Sequence, residues 1–145
     1  MPDLLLKKVY AENYDLSFEN GDLSVGDSVE NLVVISVGSQ ARASGNVFSK
    51  NLQCDGWWAE KTFGDEKWGG LVHTLFSRKS DSNTVILAKA YIEDSLKWLV
   101  DNGIVESVEV SVSNELEKIV SEISVKKNGE KNDYRFEFLK GSENA

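Results

Sequence analysis

Hydrophobic positions recur with two periods along this chain, and the period changes mark its elements. Leu16 and Phe18 alternate with polar neighbours, Asn20-Gly21 follows, and Leu23 and Val25 alternate again. This predicts a β-hairpin, because Asn-Gly reaches the positive φ of a two-residue primed turn at little cost. Behind it Val29, Leu32, Val33 and Val37 fall at helical spacing, with Val34 and Ile35 widening the stripe. With Asp27 as N-cap and Glu30 completing a capping box, the spacing predicts a helix over about 28–43. Residues 1–13 carry no clean period and read as an arm or an edge strand.

The next stretch, 44–70, is a long glycine-rich connection that holds Trp57, Trp58 and Trp68, and a short helical turn is expected near 69–77. Long connections in compact domains are usually functional or disordered, and three tryptophans argue against disorder. Val85, Ala88, Ile92, Leu96 and Leu99 then form one stripe, which predicts a helix from about Ser82 to Asn102 closed by Gly103. Three strands should follow. Val108, Val110 and Val112 alternate; Ile119, Ile123 and Val125 share a face; Tyr134, Phe136 and Phe138 share another, with Asn128-Gly129 between the last two runs. The expected fold is α+β, with a small antiparallel or mixed sheet and two main helices packed on it. The N-terminal hairpin and a C-terminal three-strand meander supply the sheet. No internal repeat and no linker is evident, so 1–145 reads as one domain, with a core over 14–139 and a polar tail over 140–145.

Composition narrows the function. At 145 residues and 41% hydrophobic, the chain can bury a sizeable core without metals or disulfides. Sixteen basic against 24 acidic residues give −8, and no long basic run appears, which disfavours nucleic-acid binding. No apolar run is long enough to predict a membrane span, and Leu4-Leu5-Leu6 lacks the preceding basic region of a secretory signal. One cysteine excludes an internal disulfide and the usual zinc sets, and implies folding in a reducing compartment. No metal or cofactor is expected.

Candidate chemistry is thin. A nucleophile pair would need Cys54 to meet His73, and nothing in the spacing brings them together. Asp15, Glu19 and Asp22 lack the spacing of a calcium loop. Glu60, Asp65 and Glu66 flank the tryptophans, which invites a small muramidase or a carbohydrate-binding module, but 24 acidic residues place carboxylates near aromatics by chance. Gly69-Gly70 alone makes no phosphate loop. The expectation is a protein that is not an enzyme. Trp57 and Trp58 point to opposite sides of an extended segment, so either one is buried and the other presented as an anchor, or both are partly buried under the loop. Arg42, in a chain poor in cations, can form bidentate pairs with partner carboxylates, or simply cap a helix end.

Taken in order, several motifs resemble one family. They are the Asp15–Val25 acidic hairpin, the helix running into Ala41-Arg42-Ala43, Gly56-Trp57-Trp58, Ser77-Arg78-Lys79, the helix end Trp98-Leu99-Val100-Asp101-Asn102-Gly103, Val108-Glu109-Val110, and Tyr134-Arg135-Phe136. Together they are similar to the small baseplate wedge protein of Mu-like phages, and to its counterparts in T-even phages and type VI secretion baseplates. Three positions depart: Gln53-Cys54-Asp55 stands where arginines often precede Gly-Trp-Trp, Val72-His73 where an aromatic is common, and Arg42 alone remains of a Glu-Pro-Arg motif. The resemblance implies a sheath-handshake fold without catalysis, assembled in the bacterial host cytoplasm into the tail baseplate of the virion. It implies six copies around the tail tube, each bound to larger baseplate wedge proteins and offering a sheet edge to tail sheath subunits. On that basis Arg42, Gly56, Trp57, Trp58, Trp68, Tyr134, Arg135 and Phe136 are the candidate partner-binding residues, with no nucleic acid or membrane involved.

Overall fold

The computed structural model describes residues 3–10, 13–41, 56, 62, 69–75, 81–116 and 118–139, with the side chains of Tyr10 and Leu139 excepted. It is α+β, with antiparallel strand pairing throughout the named strands. Two compact units are distinguished, Met1–Ile35 and Ser36–Ala145, and the division falls inside one helix.

The first unit holds six short strands: β1 (Asp3–Leu4), β2 (Leu6–Tyr10), β3 (Asn13–Leu16), β4 (Phe18–Glu19), β5 (Asp22–Leu23) and β6 (Val25–Gly26). They pair as three two-stranded ribbons, β1 with β6, β2 with β3 and β4 with β5. Asn20 at φ 53 and Gly21 at φ 83 close the β4–β5 ribbon as the sequence predicts. The ribbons meet where each strand exchanges partners, at a closed ring of backbone hydrogen bonds. Leu5 N–H donates to Ser24 C=O (2.9 Å), Ser24 N–H to Ser17 C=O (2.8 Å), and Ser17 N–H to Leu5 C=O (2.8 Å). Of the stretch 1–13, expected as an arm or an edge strand, residues 3–4, 6–10 and 13 are therefore paired strand, and the expected hairpin is one of three ribbons.

The ring exposes a repeat that the sequence reading missed. Asp3-Leu4-Leu5-Leu6, Asp15-Leu16-Ser17-Phe18 and Asp22-Leu23-Ser24-Val25 all read Asp-Leu-x-apolar. In each, the aspartate Oδ1 accepts the N–H of the following leucine at 2.8 Å, and x supplies the ring. Each leucine then pairs with the apolar residue of another repeat: Leu4 with Val25, Leu16 with Leu6, Leu23 with Phe18. Four residues are too short for a repeat to stand out against ordinary strand alternation.

Helix α1 runs over Val29–Gly38, shorter than the expected 28–43. Its start is also one residue later than the capping-box reading: Ser28, not Asp27, is the cap, and its Oγ accepts the N–H of Asn31 at 3.2 Å. Five β-branched residues in its ten oppose extension. Asn31 is buried, and its carboxamide acts as a piece of strand. Its Nδ2 donates to Leu4 C=O (2.6 Å) and its Oδ1 accepts from Leu6 N–H (3.1 Å), so backbone groups on both sides of the ring residue Leu5 are satisfied.

The second unit is built on α2 (Ser82–Asp101) and a meander of β7 (Ser107–Asn114), β8 (Lys118–Lys127) and β9 (Glu130–Leu139), in that order with β8 central. Asp81 caps α2 through Thr84 N–H at 2.8 Å. Gly103 at φ 67 ends it: Gly103 N–H donates to Val100 C=O and Ile104 N–H to Leu99 C=O, both 2.9 Å, which is a Schellman closure. Ile92, Leu96 and Leu99 are fully buried, as their spacing predicts, and α2 packs along β7. Leu75, Ala88 and Ile119 form a cluster with Leu87, Tyr91, Val112 and Phe138. The expected helical turn is a single 3-10 turn, Val72–Leu75.

Gly69 and Gly70 have a packing role. Gly69 sits at φ 79, and a Cβ there would collide with the backbone carbonyl of Ser39. Gly70 N–H donates to Ser39 C=O (2.9 Å), Ala41 N–H donates to Gly70 C=O (3.0 Å), and a Cβ on Gly70 would press on Ser95. Only glycine lets the two backbones approach so closely.

Candidate docking surfaces

The meander register sorts its side chains onto two faces. Val108, Val110 and Val112, then Val125, Ile123, Ser121 and Ile119, then Tyr134, Phe136 and Phe138 share the face that carries the core. Glu109, Ser111, Glu122, Ser124, Asp133, Arg135 and Glu137 share the other, where the buried Val120 is an apolar exception. Of the candidate site residues, Phe136 is therefore buried and Tyr134 half-buried on the core face, while Arg135 points to the polar face.

Arg135 belongs to a closed ring of four charges. Glu137 Oε1 lies 2.9 Å from Lys118 Nζ and 3.0 Å from Arg135 Nη2. Glu115 completes the ring at 3.4 Å from Lys118 and 3.8 Å from Arg135. The hydrogen bond from Lys118 holds the Glu137 carboxyl below its ordinary pKa, and the same bond raises that of Lys118. These side chains are solvated, so the ring fixes their geometry more than it stabilises the fold.

β9 lies at the edge of the sheet, and among the described residues no strand pairs with its outer side. The two-residue turn at Asn128 (φ 53) and Gly129 (φ 79) sets the phase of its ladder. The closing pair Lys127–Glu130 is hydrogen-bonded, and alternate pairs follow. Asn132, Tyr134, Phe136 and Phe138 thus bond to β8, while the backbone groups of Lys131, Asp133, Arg135, Glu137 and Leu139 point outward.

Gly56 adopts a φ of 68, a conformation that suits glycine. Arg42, Trp57, Trp58 and Trp68 lie outside the described residues, as do Cys54, Glu60, Asp65 and Glu66. The described tryptophan, Trp98, is partly exposed on α2 and donates from Nε1 to the buried Ser36 Oγ at 3.0 Å. His73 is buried in the 3-10 turn. Desolvation lowers its pKa, and a backbone hydrogen bond with Gly70 partly offsets the shift, so it is neutral at physiological pH. No cluster of three potential metal ligands occurs among the described residues, and no described helix is long and apolar enough to cross a membrane.

Comparison with known proteins agrees with the motif pattern. A curated relative, the Mu-like prophage FluMu protein gp46 of Haemophilus influenzae, is 31% identical over 114 residues, which cover 79% of this chain and 78% of that protein. The model of the family Phage protein GP46 matches residues 29–132, from the first residue of α1 into β9. The three-ribbon region before α1 lies outside that match. Over most of its length, then, the chain is a Mu-like phage protein and belongs to the phage protein GP46 family.

Proposed function

We propose that the chain is a non-catalytic structural component of a contractile-tail baseplate, a wedge protein of the virion that links larger wedge subunits to the first ring of sheath. The observation that carries this reading is β9: ten residues, paired to β8 along their whole length, with an outer edge that no described strand covers. An incoming strand gains main-chain hydrogen bonds from such an edge, and alternate side chains set its register. Family membership and the motif resemblance support the same reading.

Ladder phase provides the test. Arg135 N–H points outward, so Arg135→Pro removes a donor for an added strand while leaving the β8 ladder intact. Arg135→Ala removes the ion pairs and keeps the N–H. The full chain, co-expressed with the wedge and sheath proteins encoded beside it, should co-purify with a sheath subunit as wild type and as Arg135→Ala, and lose it as Arg135→Pro. Equal recovery of all three would remove the edge from the mechanism. Recovery of no neighbour would overturn the baseplate reading itself.

A further inference from the structure

The three-ribbon unit turns apolar side chains to solvent. Phe18 is 69% exposed, Val25 57% and Leu4 40%. Residues directly opposite in a ribbon share a face, so Leu4 with Val25, Leu6 with Leu16, and Phe18 with Leu23 are three same-side pairs. Leu4 and Leu6, Leu16 and Phe18, and Leu23 and Val25 are also two apart along their strands, which puts all six on one side of the ring. Alternation sends Asp3, Asp15, Glu19 and Asp22 to the opposite side, together with Leu5 and with Lys7, which faces Asp15. The result is a two-sided plate, apolar on one side and predominantly acidic on the other. Contiguous exposed apolar surface rimmed by polar groups marks an interaction site.

Charge selects the occupant. Of residues 1–35 seven are acidic and two basic, which places −5 of the chain's −8 there. A second copy would bring the same charge to within a screening length across a plate this thin. Anionic lipid and nucleic acid are disfavoured for the same reason. We propose that the Leu4/Leu6/Leu16/Phe18/Leu23/Val25 side of the plate docks into a protein partner whose apolar seat is bordered by lysine and arginine, a contact separate from the β9 edge. The inference rests on the reading of the chain as an assembly protein and adds a second attachment point to it.

The test uses the full chain and each purified wedge and sheath protein encoded beside it, with affinities measured at low and raised salt. One of them should bind the wild type and Arg135→Pro alike. Phe18→Asp, at an exposed position, should weaken that binding by at least about tenfold. Glu19→Lys should weaken it too, and lower its salt sensitivity, while relieving the like-charge pairing of Glu19 with Asp22. Circular dichroism of each variant should match wild type. If every neighbour that binds the wild type binds Phe18→Asp as tightly, the plate inference is overturned and the baseplate reading stands. Binding by no neighbour overturns both. Self-association of the wild type that Phe18→Asp abolishes would identify a second copy as the occupant and also refute the proposal.

Discussion

The two units solve the same problem with opposite means. Beyond α1 the chain buries apolar side chains: Ile92, Leu96, Leu99 and Ile123 are fully enclosed, and the helix and sheet exist because their apolar stripes meet. Before α1 the leucines and valines of the ribbons are largely at the surface, and order comes from backbone hydrogen bonds closed into a ring and supplemented by one side-chain amide. Burial is forgiving of direction and sensitive to volume. A hydrogen-bonded ring is forgiving of volume and sensitive to any missing donor or acceptor.

The contrast orders the expected effects of substitution. Leu96→Ala should cost most, about 2–5 kcal/mol, since it opens a cavity in an enclosed site; urea denaturation followed by far-ultraviolet dichroism measures it. Asn31→Ala should cost about 1–3 kcal/mol by stranding Leu4 C=O and Leu6 N–H. Its signature is local: hydrogen exchange should accelerate at Leu5, Leu6, Ser17 and Ser24 and leave β8 unchanged. If Asn31→Ala instead accelerates exchange across β8, the separation of the two units is wrong.

Acid offers a third and smaller perturbation. Burial makes His73 harder to protonate folded than unfolded, so below the ordinary 6.5 the unfolded chain takes up the extra proton. Stability should be full above that pH and decline as pH falls through and below it. His73→Gln should flatten that limb in a denaturation series against pH. Smallest of all is Glu137→Gln, which breaks the four-charge ring at the surface and should shift the melting temperature only slightly, and less as salt is raised.

The same contrast explains what could be read in advance. Periodicity records burial, so α2, its closing Gly103 and the meander were legible from Val85, Ala88, Ile92, Leu96 and Leu99 and from the alternating valines. The Asn-Gly turns were legible because turn chemistry is local. Strand pairing that switches partners at Leu5, Ser17 and Ser24 leaves no period, and the recurring Asp-Leu is its only mark. The early end of α1 was missed because its apolar spacing was weighed above its β-branched content. For the docking surfaces, the β9 edge followed from its place at the end of the meander. Which of its backbone groups face outward needed the register, and the two-sided character of the plate needed the ring.

Because the ring draws one residue from each of three separated segments, no subset of them can hold the others. A nascent chain cannot complete it until position 25 has cleared the ribosomal exit tunnel, and loss of the first five residues should loosen the segments around positions 17 and 24 as surely as those around themselves. Leu5 is thus a keystone, and a deletion that reaches it should be read as a structural intervention.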